Sequence, residues 1–329
     1  MKPYILIILI ILICACTIPA IAVEVSDEDT QTFSMQKGGY VSIIGDEGSI
    51  TIKSWNGSSV KVKMTKHAGG ESQKEAMERL EAIDIDIQHS DSRLSIRQIK
   101  PARDQRFSFW DLFDPDRWDA MRSSVRVDFD VLVPKEIELR LETDEGDINA
   151  RDLMGDISIE VDEGDVNLKN LQFSDMYLKM DEGDLIAEEL SGQGRQLTIL
   201  ADEGDIQIEQ LSLDKLKIDT DEGDVTIAGS TMERCDIVAD EGDVDLELTT
   251  KDHGRYTFEL DEGDIILELP KQLNAFLRLE SEEGDIRTDF KLNIEETEDN
   301  GHRARSELGN GGATIDVFTN EGYITLRAR

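Results

Sequence analysis

An all-β solenoid is the fold class this sequence predicts, and three observations predict it. The tetrapeptide Asp-Glu-Gly-Asp recurs with its glycine at Gly146, Gly164, Gly183, Gly204, Gly223, Gly242 and Gly263, and a variant copy follows at Glu282-Glu283-Gly284-Asp285. The glycine-to-glycine steps are 18, 19, 21, 19, 19, 21 and 21 residues, and self-similarity at such a period marks stacked structural units. Each copy also lies between two alternating apolar runs, as in Ile157-Ser158-Ile159-Glu160-Val161 and Val166-Asn167-Leu168-Lys169. Period-two alternation is the pattern of a strand with one buried face. The unit is therefore strand, acidic bend, strand, second bend.

Glycine suits the bend because it adopts positive φ without steric penalty, and the aspartate after it is placed to fold back onto nearby backbone N–H groups in an Asx-type turn. Two arrangements accommodate the unit. A meander would place Asp162 directly opposite Asp165 across a two-residue hairpin and repeat that like-charge clash in every copy. A single-stranded β-helix with coils of about 20 residues instead stacks the acids along an exposed edge, where they can splay. The near-constant period also favours the β-helix, which is the predicted fold. In that coil Ile199, Ile206 and Ile208 point inward, and Thr198 and Gln207 outward.

Taken in order, the chain opens with Met1-Lys2 and an apolar run over residues 4–15 that is short for a membrane span and fits a secretory signal. Ala20-Ile21-Ala22 supplies a small-x-small cleavage pattern, which divides the chain into a signal peptide (1–22), a polar linker (23–38) and a β-helix domain (39–329). A second reading is lipoprotein processing at Ile13-Cys14-Ala15-Cys16, with a lipid on Cys16. Both readings export the protein to the periplasm or cell surface.

Within the domain, residues 39–100 hold the first coils. Tyr40-Val41-Ser42-Ile43-Ile44 and Ser49-Ile50-Thr51-Ile52 flank a degenerate acidic bend, Asp46-Glu47-Gly48-Ser49. Ser72 and Glu75 make a capping-box pattern that opens a short helix over 74–82, with Ala76, Met77 and Leu80 at helical spacing. Residues 101–122 gather Phe107, Phe109, Trp110, Phe113 and Trp118 into one loop, read either as a cap over the open solenoid end or as a partner surface. Residues 123–329 carry the repeat coils. With the signal removed, Cys235 is the one cysteine other than Cys16, so packing rather than a disulfide must hold the fold; its strand position near Ile237 makes it a core residue.

Charge narrows the function classes. The formal net charge is −37, and residues 144–289 carry 42 Asp plus Glu against 12 Lys plus Arg. Nucleic acid and bare anionic membrane are poor partners for such a surface.

Gly39-Tyr40-Val41-Ser42-Ile43 followed by Gly48-Ser49-Ile50-Thr51-Ile52-Lys53-Ser54-Trp55 resembles the opening of the bacterial "putative adhesin" family of unknown function. Val127-Asp128-Phe129-Asp130-Val131-Leu132-Val133-Pro134 is similar to that family's strand-to-proline approach to its repeats, Gly146-Asp147-Ile148 to the repeats themselves, and Gly309-Asn310-Gly311-Gly312-Ala313-Thr314-Ile315 to its closing turn. The resemblance covers roughly residues 36–329. It implies an exported envelope β-helix without established chemistry, an adhesin-like scaffold whose partner is an envelope protein or polysaccharide. One departure stands out: nearly every copy here has two acids before the glycine, where the family commonly has small hydroxyl residues.

Paired carboxylates raise the alternative of a polysaccharide-active β-helix enzyme. Every coil carries the same acids, however, and no pair is distinguished as a site. His67, His89, His253 and His302 fall in unrelated segments, and no nucleophile–base, P-loop or dinucleotide pattern occurs. A third reading is a Ca²⁺ ladder formed by Asp162, Asp165, Asp181, Asp184, Asp202, Asp205, Asp221, Asp224, Asp240 and Asp243. Ca²⁺ takes six to eight oxygens in flexible geometry. Its structural counterpart is a solvated charged edge under salt screening.

Overall fold

The computed structural model describes residues 23–99, 125–192, 196–297 and 301–329. The signal segment, Cys16 and the aromatic loop of 101–122 lie outside the described residues. The described chain is β-structure throughout, with one helix at Gln73–Glu81. It forms a solenoid sheet in which the strands of the repeats pair in parallel with their counterparts one repeat away.

Residues 157–174 show how one coil is built. Ile157, Ile159 and Val161 point inward, then Val166 and Leu168 beyond the acidic bend, then Leu171 and Phe173, and all are buried. The inward spacing widens from two to three between Leu168 and Leu171, because Asn170 turns the chain with φ 52°. Asp152, Glu189 and Gln210 take the same left-handed conformation at the equivalent corner. Asp156 supports the remaining corner, its Oδ1 accepting the N–H groups of Ser174 (3.2 Å) and Asp175 (3.0 Å) of the next coil. Ile199, Ile206 and Ile208 are buried as the alternation requires, and Gln207 is exposed. Cys235 is fully buried in the core, and burial pushes its thiol pKa up.

Ile157–Glu163 pairs in parallel with Glu138–Glu145 on one side and Asp175–Glu182 on the other, so Asp162 and Asp165 do not face each other as in a meander. The stacking follows sequence order through the middle but not at the ends. Residues 40–55 lie between residues 138–151 and an outer layer made of Arg93–Ile99 and Val125–Pro134. At the other end, residues 313–328 lie between residues 255–269 and 275–288. At each end, the coil nearest the chain terminus is tucked one place inward.

Antiparallel strands cover the outer layers. Asp84–Ser90 pairs with Arg93–Ile99, and Ser59–Gly70 with Val125–Pro134. At the far end His302–Leu308 pairs with Ala275–Glu283 and also with Ile294–Glu296. Ile294–Glu296 and His302–Leu308 are therefore antiparallel capping strands and not repeat coils.

Two further differences from the sequence reading concern the first hundred residues. The segment read as a linker, 23–38, contains the strand Val23–Ser34, paired antiparallel along its length with Ser59–Gly70. Its Asp27-Glu28-Asp29 centre reads as loop, yet those acids sit on an outer edge where charge blocks further strand addition, and Glu28 pairs with Lys63 at 2.9 Å. The helix is capped by Ser72, whose hydroxyl accepts the Glu75 N–H at 3.3 Å, but the Glu75 carboxylate reaches the Glu71 N–H rather than that of Ser72. Ala76 and Leu80 are buried and Met77 is exposed, so the buried stripe is narrower than expected.

Register is enforced at the glycines. A Cβ on Gly204 would lie 2.0 Å from the Gly183 carbonyl oxygen, and Gly204 has φ 129°. Gly229 also has positive φ (68°), but nothing lies closer than 3.9 Å to its would-be Cβ. Gly204→Ala is expected to destabilise by at least about 3 kcal/mol, because conformational strain and a backbone clash add. Gly229→Ala should cost about 1–2 kcal/mol from the left-handed conformation alone. Denaturant midpoints of the two variants check this; equal losses would mean that close approach of the bends does not set the register.

Candidate functional site

The acidic bends stack into one continuous edge. Ten glycines stand in file along it, in the spatial order 48, 146, 164, 183, 204, 223, 242, 263, 322, 284, each would-be Cβ meeting the carbonyl of the rung before it. With no side chain at the glycine, each rung comes close enough for the following aspartate to reach its neighbour. Asp147 Oδ1 accepts the Asp165 N–H, and the same bond runs on through Asp184, Asp205, Asp224, Asp243 and Asp264 to the Tyr323 N–H, at 2.8–3.1 Å. The aspartate thus bonds the next coil, not its own turn as the Asx reading expected.

The ten candidate Ca²⁺ residues divide into two files. Asp165, Asp184, Asp205, Asp224 and Asp243 each accept a backbone N–H at Oδ1 in this ladder. Asp162, Asp181, Asp202, Asp221 and Asp240 occupy the outward strand position before the bend, where Asp181 also meets Lys179 at 2.5 Å. Between the files runs a column of glutamates, Glu145, Glu163, Glu182, Glu203, Glu222, Glu241 and Glu262, one per rung in register. Among the described residues, no three His, Cys, Asp or Glu side chains converge as a metal group requires. The edge supplies many acceptors but keeps half of the aspartates turned to the backbone.

The ladder changes character at its N-terminal end. Asp128, on the outer layer, accepts the Ser49 N–H and Oγ at 3.0 and 3.1 Å, and His67 Nε2 lies 3.2 Å from its other oxygen. Beside it Glu47 is half-buried, and burial, with Glu145 and Asp46 adding repulsion, lifts its pKa to about 7. The remaining histidines stand apart. His89 Nε2 lies 2.8 Å from the Ser34 carbonyl, His302 Nδ1 lies 2.7 Å from that of Gly284, and His253 is exposed near Asp252.

The Toastrack DUF4097 family pattern matches residues 20–189 and again 151–327, which together span nearly the whole chain. The chain belongs to that family. Its description, a domain of unknown function, carries no activity, and the two matches overlap over residues 151–189. No curated protein matches this Toastrack chain. Among solved structures it is similar to a "putative lipid binding protein" of Parabacteroides distasonis, at 9% identity over 91% of this chain and 96% of that one, TM-score 0.49. It is also similar to a "putative adhesin" of Bacteroides fragilis, at 11% identity over 91% and 97%, TM-score 0.42. A third likeness is to a "putative cell adhesion protein" of Clostridium sporogenes, at 12% identity over 92% and 100%, TM-score 0.23. At these scores the likenesses carry no functional argument. Among the described residues, no helix is long and apolar enough to cross a membrane.

Two predictions follow from the edge. Asp205→Ala removes the acceptor of the Asp224 N–H and should cost about 1–2 kcal/mol, whereas Asp205→Asn keeps an oxygen acceptor, relieves like-charge repulsion and should be neutral or stabilising. Millimolar CaCl₂ and NaCl of matched ionic strength are expected to raise the melting midpoint equally. A rise specific to Ca²⁺ that is lost when Asp205 and Asp224 are both changed to Asn would instead assign metal to the ladder.

Glu47 gives a pH signature. Its folded pKa is raised, so the stability it contributes is complete below the ordinary value of 4.5 and is lost as pH rises through about 7. Glu47→Gln should therefore match wild type in denaturant midpoint at pH 4 and exceed it at pH 8; a constant offset at both pH values would assign the effect to packing.

Proposed function

We propose that this protein is a non-enzymatic, exported envelope scaffold, an adhesin-like single-stranded β-helix whose sheet faces meet an envelope protein or polysaccharide. The observation that carries the reading is the uniformity of the acidic edge. From Asp147 to Asp264 the same carboxylate makes the same backbone bond in successive coils, so no rung is set apart as a place where chemistry occurs. A hydrolytic pair needs two carboxyl groups in unlike environments, one held protonated and one ionised. Here the repeated acids stabilise the stack, and the broad sheet faces are left for recognition.

The export part of the reading rests on the apolar run over residues 4–15 and the small-x-small pattern Ala20-Ile21-Ala22. Val23 is the residue that cleavage after Ala22 would make the first of the mature chain. N-terminal sequencing of protein from the envelope fraction is expected to begin at Val23, or to be blocked by a lipid on Cys16; intact protein beginning at Met1 in the cytoplasm would refute both routes. Release of reducing ends from a polysaccharide by purified protein, lost on Asp→Asn exchange in the ladder, would overturn the non-enzymatic reading.

A further inference from the structure

On the face made by the strands that precede each acidic bend, one column of side chains reverses its charge half-way along. Glu138, Asp156 and Asp175 stand on successive rungs, each one residue ahead of the paired Leu139, Ile157 and Met176. Gln196 comes next, and the register then aligns Gln196 with Lys215, Lys215 with Arg234 and Arg234 with Arg255. All seven side chains are exposed. The column therefore runs three acids, one amide and three cations, at about 4.8 Å per rung.

Like charges on adjacent rungs are unfavourable, and nothing within the coils relieves them. Among the described residues, Glu138, Asp175, Lys215, Arg234 and Arg255 form no ion pair. Asp214 and Glu233 flank the cations in sequence but turn to Lys251, at 4.0 and 3.8 Å. Elsewhere on the same face a cation such as Lys179 or Lys217 has a carboxylate beside it.

We propose that this face binds a second copy of the chain, the two columns running antiparallel about a two-fold axis that passes through Gln196 at right angles to the stack. Three acids and three cations arranged about a central amide are complementary to their own reversal. The axis sets Asp175 against Lys215 of the second copy, Asp156 against its Arg234 and Glu138 against its Arg255. A two-fold interface uses each pairing twice, so three distinct pairs give six. The inference goes beyond the scaffold reading and does not depend on it.

The neighbouring columns agree with this register. In the next one Thr198 meets its own counterpart, and Tyr177, 40% exposed, meets Lys217, a ring face against an ammonium. In the third, Leu200 meets itself and Lys179 meets Asp219. Over the seven rungs these columns hold one like-charged pair, Glu142 with Glu259, and Arg140 already engages Glu142 at 2.9 Å in its own chain. The acidic bends lie six residues further along each strand, about 20 Å, and the two faces diverge towards them. That is more than twice the Debye length of about 8 Å in physiological salt, so most of the net charge of −37 is screened from the contact. Seven rungs by three columns cover on the order of 500 Å² per copy, about 1,000 Å² in total, the lower end for a specific interface. A dissociation constant in the micromolar range is expected.

The test is sedimentation equilibrium of the full mature chain in about 0.15 M NaCl. Wild type should show a monomer–dimer equilibrium with its midpoint in the micromolar range. Lys215→Glu with Arg255→Glu should weaken dimerisation by about ten-fold or more, and so should Glu138→Arg with Asp175→Lys, because each double variant turns four of the six ion pairs into like-charged pairs. Asp156 is left unchanged because its carboxylate also holds the backbone N–H groups of Ser174 and Asp175. Mixing the two double variants restores all six pairings and should return a heterodimer at the wild-type affinity, a result that misfolding of either variant could not give. Three outcomes would each overturn the proposal: a wild type that stays monomeric at every concentration, a dimer undiminished in either double variant, or two variants with wild-type circular dichroism that fail to pair when mixed.

Discussion

The rest of the structure depends on how closely neighbouring rungs approach at the acidic bend. The Gly183 carbonyl oxygen lies where a Cβ on Gly204 would have to be, and the same contact recurs down the file. Only glycine permits it, and it brings each aspartate within reach of the next rung's N–H. A β-helix without that contact could slip by one residue and turn every inward side chain outward. Here a slip would drive a side chain into a carbonyl and break an aspartate bond at once, so facing is fixed at the bend and the strands inherit it.

That edge is also where the charge lies, and the energies show why it survives. Like charges at the rung spacing of about 4.8 Å repel by roughly 0.9 kcal/mol in bulk water and about 3.5 kcal/mol at an effective dielectric near 20. A hydrogen bond to a charged acceptor returns roughly 1.5–3 kcal/mol. On an exposed edge the high-dielectric figure applies, and the bond offsets the repulsion from two neighbours. Where the edge is half-buried it does not, and Glu47 responds by holding its proton to a pH near 7. The motif is thus tolerable in the open middle of the stack and marginal where it tucks under an outer layer.

The repeat, the strand facing and the need for positive φ at the bends were legible in the sequence, because each depends on local spacing. Ile199 and Ile206 are placed by alternation alone. The destination of each aspartate's bond was not legible, since the period is the same whether Asp205 caps its own bend or reaches Asp184's rung. Nor was the order of coils at the ends. Gly284 and Gly322 each follow a glutamate and open an apolar strand, and nothing local says that the later one stacks against Gly263. The acidic centre of Val23–Ser34 hid a strand for a related reason: edge strands carry charge, and charge reads as loop.

The reordering changes what the ends of the solenoid can do. In a simple stack the terminal coil pairs on one side only, frays first and offers its free edge to another chain. Here the coil of residues 313–328 is paired on both sides, and residues 275–288, which cover it, are held in turn by the capping strand His302–Leu308. Opening the end therefore means displacing an outer layer fixed by chain connectivity on both flanks, not peeling off one coil. The same device at the other end covers residues 40–55 with the layer of Arg93–Ile99 and Val125–Pro134. The edges that remain at the N-terminal end, on Val23–Ser34 and Asp84–Ser90, carry acidic side chains, and charge there opposes the addition of a further strand.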